Sequence, residues 1–259
     1  MPGRCTAEII ARRSFGCATE LVAQVDTPFA AEPGQFVHVR CEGPGLVLRR
    51  PYSLYDLRER AVSLLVREVG SGSAWLCSAE VGQELDFLGP LGSGFDVDGR
   101  GRKALVAGGT GIAPIRFLAS RLRERGIEAV VFWGVGSEDE YRGLAGVLEG
   151  ELHLNLATMD GSAGHVGSVV DLFKRSGMGD FTQVYACGPR GMLAGLAESI
   201  SSGGLADLQV CMEERMACGV GACRGCVVPA ASPAGGYLTA CRDGPVFKGK
   251  ELDWRRING

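Results

Sequence analysis

The sequence predicts three units in a row: an antiparallel β-barrel over residues 1–98, a parallel-sheet α/β domain over 99–204 and a small cysteine-rich C-terminal domain over 205–259. Three observations predict this. Short β-like runs broken by Gly and Pro fill the first hundred residues, and many short strands with regular turns make a barrel. After Lys103, apolar strands alternate with helix-length segments, which requires a parallel sheet with crossover helices. Cys211, Cys218, Cys223, Cys226 and Cys241, half of the ten cysteines, crowd the last fifth of the 259 residues.

The barrel strands are read at Phe36–Val39, Tyr52–Tyr55, Val62–Val66 and Leu85–Leu88, with turns at Glu32-Pro33-Gly34, Gly43-Pro44-Gly45 and Gly89-Pro90-Leu91-Gly92 and a helix near Ala74–Ala79. A polar stretch, Asp98 to Lys103, closes the unit. The second unit opens with a strand at Ala104–Ala107, a Gly-rich turn and a helix from about Ala113 to Arg125. Further strands follow at Ala129–Trp133, Leu152–Ala157 and Gln183–Ala186, then a helix through Met192 to Ile200. The tail of about 50 residues is too small for a core of its own, so it needs a metal or crosslink to hold shape.

Composition excludes several classes. With 27 Lys+Arg against 30 Asp+Glu the net charge is -3, so there is no basic field for nucleic acid. Met1 to Arg13 lacks the apolar region of a signal peptide, and apolar runs such as Ala129–Trp133 are far shorter than a membrane helix needs. A cytoplasmic location is expected. In that reducing compartment, clustered thiols point to metal rather than to disulfides. Glycine, 40 of 259 residues, has no collagen period and is assigned to turns and ligand loops.

The tail reads Cys218-x4-Cys223-x2-Cys226, then fourteen residues, then Cys241. This is the plant-type [2Fe–2S] spacing. Three thiolates on one tight loop, with Gly219, Gly221 and Gly225 allowing backbone N–H groups to face the sulfurs, suit a cluster that takes an added electron. Zinc sites show paired C-x2-C knuckles, and only Cys223/Cys226 form one here. Cys5, Cys17, Cys41, Cys77 and Cys211 are read as small apolar residues.

Arg50-Pro51-Tyr52-Ser53 alternates on a strand, which gives Arg50 and Tyr52 one face and Ser53 the other. Arg50 suits a pyrophosphate, and Tyr52 and Ser53 suit a flavin ring. Gly70-Ser71-Gly72-Ser73 opens a helical segment and makes a phosphate seat. Gly108-Gly109-Thr110-Gly111-Ile112-Ala113-Pro114 lies between strand and helix. It is neither G-x-G-x-x-G nor a Walker loop, yet it brings a diphosphate to a helix N-terminus with Pro114 in the first turn. Cys187-Gly188-Pro189 ends the last predicted strand, where a nicotinamide would lie. Gly134 to Glu140 is acidic and lacks an Arg for a 2′-phosphate, which favours NAD over NADP.

Together these residues resemble the electron-transfer subunits of class 1B dihydroorotate dehydrogenases, within the ferredoxin–NADP reductase superfamily, over essentially the whole chain. The superfamily is resembled in Arg50–Ser53, Gly108–Pro114 and Cys187–Pro189; the subunit in Glu213–Cys226 and Cys241–Phe247. The resemblance implies three cofactors: FAD, a [2Fe–2S] cluster and NAD. It places FAD contacts also at Leu65, Val66, Arg67, Gly72 and Ser73, and cluster ligation at Cys218, Cys223, Cys226 and Cys241. It implies an FMN-containing catalytic subunit as partner, in a heterotetramer of two plus two, with electrons passing from dihydroorotate to NAD⁺ in pyrimidine synthesis. Tyr52 departs from the pattern, which has an aliphatic residue there in many members. His38, His153 and His165 are dispersed, so no acid–base constellation for a substrate is visible. Two other readings share parts of this layout: a subunit of a bifurcating or sulfide-linked NAD(P)H oxidoreductase, and a non-enzymatic redox sensor.

Overall fold

The computed structural model describes residues 3–97, 101–145, 154–203, 207–232 and 235–258. The expected unit borders, at 98/99 and 204/205, and His153 lie outside the described residues.

The barrel consists of β1 (Gly3–Ser14), β2 (Ala18–Val25), β3 (Phe36–Val39), β4 (Arg50–Arg58), β5 (Ala61–Arg67) and β6 (Glu84–Leu91). It closes in the order β1-β2-β5-β4-β3-β6, all neighbours antiparallel. Closure leaves no free sheet edge. Inward residues such as Ile9, Leu21, Val37, Leu54, Leu64, Val66 and Phe87 fill it. Between β5 and β6 comes the short helix α1 (Ser71–Cys77), three residues earlier than its apolar run suggests, because Ser73 caps its start. β1 and β2, of 12 and 8 residues, lie outside the strands expected from the sequence.

The α/β part contains β7 (Lys103–Gly108), α2 (Ile112–Glu124), β8 (Ala129–Val135), α3 (Glu138–Ala145), β9 (Leu154–Thr158), β10 (His165–Val166), α4 (Val169–Arg175), β11 (Gln183–Cys187), α5 (Arg190–Gly203) and β12 (Asp207–Cys211). Its seven-stranded sheet runs β10-β9-β8-β7-β11-β12-β15, with β15 spanning Val246–Lys248. All pairs are parallel except β12 with β15. Both faces of β7 are buried, as a helix-covered parallel strand requires. The chain leaves β7 in one direction for β8, β9 and β10, then returns to its other side for β11. The carboxyl ends of β7 and β11 therefore flank a topological switch point, where such sheets bind ligands.

The tail does not stand apart. Its first strand, β12, and β15 belong to the seven-stranded sheet, and Leu208, Val210, Val228, Phe247 and Leu252 pack into the core under that sheet. Among the described residues only β13 (Val227–Pro229) and β14 (Tyr237–Thr239) form a separate hairpin, followed by α6 (Trp254–Asn258). Sharing a core in this way answers the shortage of apolar residues in so short a piece.

Barrel and sheet are joined by α2. Arg116 on this helix pairs with Asp56 of β4 at 3.0 Å, both side chains nearly buried, and its guanidinium lies 4.5 Å from the centre of the Tyr55 ring. Burial raises the Asp56 carboxyl, but the bonds and charge of Arg116, the Leu57 N–H and the Arg58 charge outweigh it, so the net shift is downward. Among the described residues no helix is long and apolar enough to cross a membrane.

Candidate functional site

Two cavities and one loop lie in sequence across the molecule. The first cavity, about 440 Å³, is bounded on the barrel side by Pro51, Tyr52, Ser53, Leu65 and Arg67. Its opposite wall is Cys211–Met216 together with Pro245. Pro51, Tyr52 and Ser53, three successive residues of β4, all line this rim half exposed, so the expected split of Tyr52 and Ser53 between opposite faces does not hold here, while Leu54 and Tyr55 are buried in cores. Of the residues expected at a flavin, Val66 lies fully buried in the barrel core and does not line the cavity. Arg50 stands beside Gly72, where an added Cβ would come within 3.2 Å of its side chain. Its guanidinium bonds to the Leu48 and Arg49 carbonyls and pairs with no carboxylate among the described residues. The Ser73 hydroxyl is committed locally: it accepts from the Val69 and Gly70 N–H groups and donates to the Gly70 carbonyl.

The second cavity, about 530 Å³, opens at the switch point. Gly108, Gly109 and Thr110 line it after β7, and Gly188 and Pro189 after β11. Gly111 is set deeper, against the Cys187 carbonyl, where any Cβ would overlap backbone. The loop therefore needs Gly for close packing as well as for ligand approach. The Cys187 side chain is fully buried against Cys211, its partner in the strand register, rather than facing the cavity. The Cys211 thiol, then burial, push its pKa well up, so it behaves as an inert buried thiol. Met159, Arg190 and Met192, which no motif marks, line this cavity as well, together with Glu140 of the acidic stretch and Glu213. They come from four separate stretches of chain and carry no common spacing. Glu140 Oε1 accepts from Arg67 of the barrel at 2.7 Å, and its Oε2 accepts from the Gly136 N–H at 2.8 Å, which ties the two cavity rims together.

The loop Cys218–Cys226 follows directly from the wall of the first cavity. All ten cysteines are free of disulfides. The four expected ligands converge as two pairs. Cys218 interacts with Cys223, whose N–H donates to the Cys218 sulfur at 3.4 Å. Cys226 interacts with Cys241, whose N–H donates to the Cys226 sulfur at 3.4 Å. The Gly221 N–H donates to the Cys241 sulfur at 3.1 Å. Two thiolates for each of two irons, with backbone donors aimed at sulfur, suit a binuclear cluster. Among the described residues no three His, Cys, Asp or Glu side chains meet around one point, as a mononuclear site would require. Burial raises the Cys218 thiol, but the N–H groups of Cys223, Val220 and Ala222 dominate and bring it down to about 6. Burial and the Cys226 thiol push Cys241 up to about 12, so its ionisation calls for a bound cation.

Glycine shapes this loop. Gly219 and Gly221 have φ of 71° and 79°, and a Cβ on Gly219 would strike the ring of His38, which is fully buried in β3. Phe36, Leu88 and Leu91 of the barrel pack with Met216, Cys226, Ala240 and Cys241. Phe36 also lines the first cavity, so the cluster loop and that cavity share a wall.

A closed antiparallel barrel followed by a parallel sheet with a switch-point cavity defines a flavin reductase fold of the ferredoxin-reductase kind. A solved ferredoxin reductase of carbazole 1,9a-dioxygenase shares this fold, with a TM-score of 0.69 and 21% identity over 79% of this chain and 67% of its own. The structure of NADH-dependent reduced ferredoxin-NADP oxidoreductase matches more fully, with a TM-score of 0.83 and 28% identity over 97% of this chain and 91% of its own. Residues 105–198 match the oxidoreductase NAD-binding domain, and residues 213–253 match the iron-sulfur cluster binding domain of dihydroorotate dehydrogenase B. The dihydroorotate dehydrogenase B (NAD(+)) electron transfer subunit of Geobacillus thermodenitrificans is 37% identical over 94% of each chain, and that of Listeria monocytogenes is 34% identical over 90% of this chain and 92% of its own. The chain belongs to the family of dihydroorotate dehydrogenase B electron transfer subunits.

Proposed function

We propose that this chain is the electron-transfer subunit of a cytoplasmic NAD-linked dihydroorotate dehydrogenase in pyrimidine synthesis. It works with an FMN-containing catalytic subunit in a heterotetramer of two plus two. The observation that carries the reading is spatial order: a switch-point cavity, a barrel-side cavity and a four-cysteine loop stand in line, each sharing a wall with the next. When bound, FAD exchanges a hydride with NAD and single electrons with a [2Fe–2S] cluster, which links it to the partner's flavin.

The residues divide the work as follows. Pro51, Tyr52, Ser53, Leu65 and Arg67 hold the flavin ring against the barrel, with Val66 packed in the core behind them. Arg50, Gly72 and Ser73 place its pyrophosphate, Arg50 by charge and Gly72 by leaving room. Gly108, Gly109 and Thr110 admit the NAD diphosphate to the start of α2, and Gly111 lets the loop lie close on β11. Gly188 and Pro189 bound the nicotinamide end, and buried Cys187 fixes the backbone beneath it. Cys218, Cys223, Cys226 and Cys241 ligate the cluster, and the N–H donors on their sulfurs favour the added electron. The acidic start of α3 suits NAD rather than NADP: Glu138 occupies Arg142 at 2.8 Å, and Glu140 would repel a 2′-phosphate.

The test is the purified chain, reconstituted with FAD and iron–sulfide. NADH with an artificial acceptor should give turnover; dihydroorotate with the same acceptor should give none until the catalytic subunit is added. Orotate formation by the chain alone would overturn the division of labour. The likeness to the NADH-dependent reduced ferredoxin-NADP oxidoreductase structure favours one second reading, a subunit of a bifurcating enzyme. Identifying the large subunit that co-purifies separates the two.

A further inference from the structure

The outer face of β3 is covered by the cysteine loop, and one residue on it is out of character. Val37 and Val39 belong to the barrel core. Phe36, two positions from His38 and therefore on the same face, packs with Cys226 and Cys241 and also lines the flavin-side cavity. The rest of that contact is apolar: Leu88, Leu91, Met216 and Ala240. On the same face lies the ring of His38, which has no exposed surface. Both its nitrogens are buried, and neither has a hydrogen-bond partner among the described residues. Nδ1 is the ring atom nearest the place that a Cβ on Gly219 would take. Burial lowers the pKa of the ring. It outweighs the carbonyls of Arg49 and Cys218, which lie close enough to favour a protonated ring but outside hydrogen-bond geometry. A buried polar ring without a partner costs stability where an apolar residue would pack as well.

This ring stands between the two cofactor regions. In the strand register His38 faces Pro51, which lines the flavin-side cavity, and its own carbonyl accepts from Arg49 at 3.4 Å. Arg49 is held in turn by Asp86 at 2.7 Å, so the backbone under the ring is braced. On the other side lies the Cys218–Gly219 peptide. The N–H groups of Cys223, Val220 and Ala222 end on the Cys218 sulfur, so their aim depends on where that peptide lies. We infer that His38 is a positioning residue for the cluster: with its proton on Nδ1, it donates to the Cys218 carbonyl in the cluster-bound protein and fixes the loop against the wall shared with the flavin-side cavity. The inference rests on reading the four cysteines as cluster ligands and that cavity as the flavin site. The tautomer follows from the contact, since a neutral imidazole has one donor and Nδ1 is the nitrogen nearest the loop. Holding the peptide keeps the N–H donors on the Cys218 sulfur, which favour the added electron, and keeps the gap from flavin to cluster short.

The test uses the holoprotein with flavin and iron bound. His38→Leu keeps most of the bulk and removes the donor, while His38→Asn keeps a donor at the Nδ1 position. Anaerobic stopped flow with NADH resolves flavin reduction from the cluster reduction that follows it. The second phase should slow about 10-fold in His38→Leu, the lower end of what loss of an outer hydrogen bond at a metal ligand costs. Dye-mediated titration should place the cluster midpoint of His38→Leu at a more negative potential, and the g values of its reduced cluster should shift in EPR. His38→Asn should recover most of the rate, the potential and the spectrum, although it fills the site less well than Leu. A role in packing alone predicts the opposite order. Iron and flavin are counted in each variant. If His38→Leu holds no iron, the comparison is read between His38→Asn and His38→Gln, whose donor sits at the Nε2 position: Asn should match the parent and Gln should be slow. A Leu variant with the parent's potential and second phase, or an Asn variant as impaired as the variant it is compared with, would overturn the inference. A reduced parent holoprotein without a binuclear EPR signal would remove the cluster reading itself, and this inference with it.

Discussion

The glycine loop after β7 and the cysteine loop after β12 are both ligand loops built from small residues, but the protein holds them differently. The first is fixed by the fold. Gly111 lies flat on the Cys187 carbonyl, Ile112 and Ile115 are fully buried, and α2 is anchored to the barrel through Arg116 and Asp56. The second is held largely through its own sulfurs: the N–H groups of Gly221, Cys223 and Cys241, among others, end on cysteine sulfur, and Cys223 is exposed. Its apolar anchorage is a small group at one edge of the barrel. Close packing preorganises a site before the ligand arrives, whereas a loop whose donors point at thiolates depends on the metal that fixes those thiolates.

The largest expected effect falls on the self-supported loop. Cys223→Ser should abolish iron and acid-labile sulfide in the purified protein and make the 216–226 segment sensitive to limited proteolysis. Flavin content should stay near that of the unmodified chain, because the barrel face of the first cavity is formed by other strands. Full iron content, or loss of flavin with iron retained, would break the contrast.

The fold-supported loop should fail in the opposite way. In Gly111→Ala the new methyl would sit 2.6 Å from the Cys187 carbonyl carbon and 2.9 Å from the Gly188 nitrogen, both backbone atoms that cannot swing aside. The cost should be about 3 kcal/mol of global stability, typical of overpacking. Calorimetry should show a lower Tm with the cluster still assembled. A variant as stable as the parent would mean that the switch-point loop is looser than its packing indicates.

The smallest effect concerns the anchor of α2. Asp56→Asn keeps the shape but removes the charge opposite Arg116, and should cost about 1–2 kcal/mol at neutral pH. Arg116 and its neighbours hold the folded carboxyl below its unfolded value. Its contribution is therefore complete above the unfolded pKa of about 4 and drains away as pH falls through the lower folded value. Denaturant midpoints of parent and variant should thus differ at pH 7 and converge below about pH 4. A gap that persists into strong acid would assign the effect to packing instead.

The expected barrel, parallel sheet and cysteine loop are all present, as are their turn residues, because each is written in local periods and spacings. The Arg50-Pro51-Tyr52-Ser53 motif marked the strand whose successive residues Pro51, Tyr52 and Ser53 line the cavity, although simple alternation did not predict that all three do, and the Cys-x4-Cys-x2-Cys spacing singled out the thiols that now lie in pairs. The strands β1 and β2 were less legible, since they carry charged residues, such as Arg13 and Glu20, which face each other across the ladder and form an ion pair.

What the sequence determined by itself, then, is the local chemistry: which stretches are strand, which loops are glycine-rich and which sulfurs are spaced for two irons. Only the tertiary structure decided that β12 and β15 of the tail complete the sheet, that His38 lies beneath Gly219, and that Arg67 reaches across to Glu140. It also decided that one of two neighbouring glutamates is paired while the other faces both cavities. The physical reason is range. Periodicity and turn chemistry act between residues a few positions apart, whereas a cavity wall is assembled from strand ends brought together only when the sheet and barrel bury their shared core.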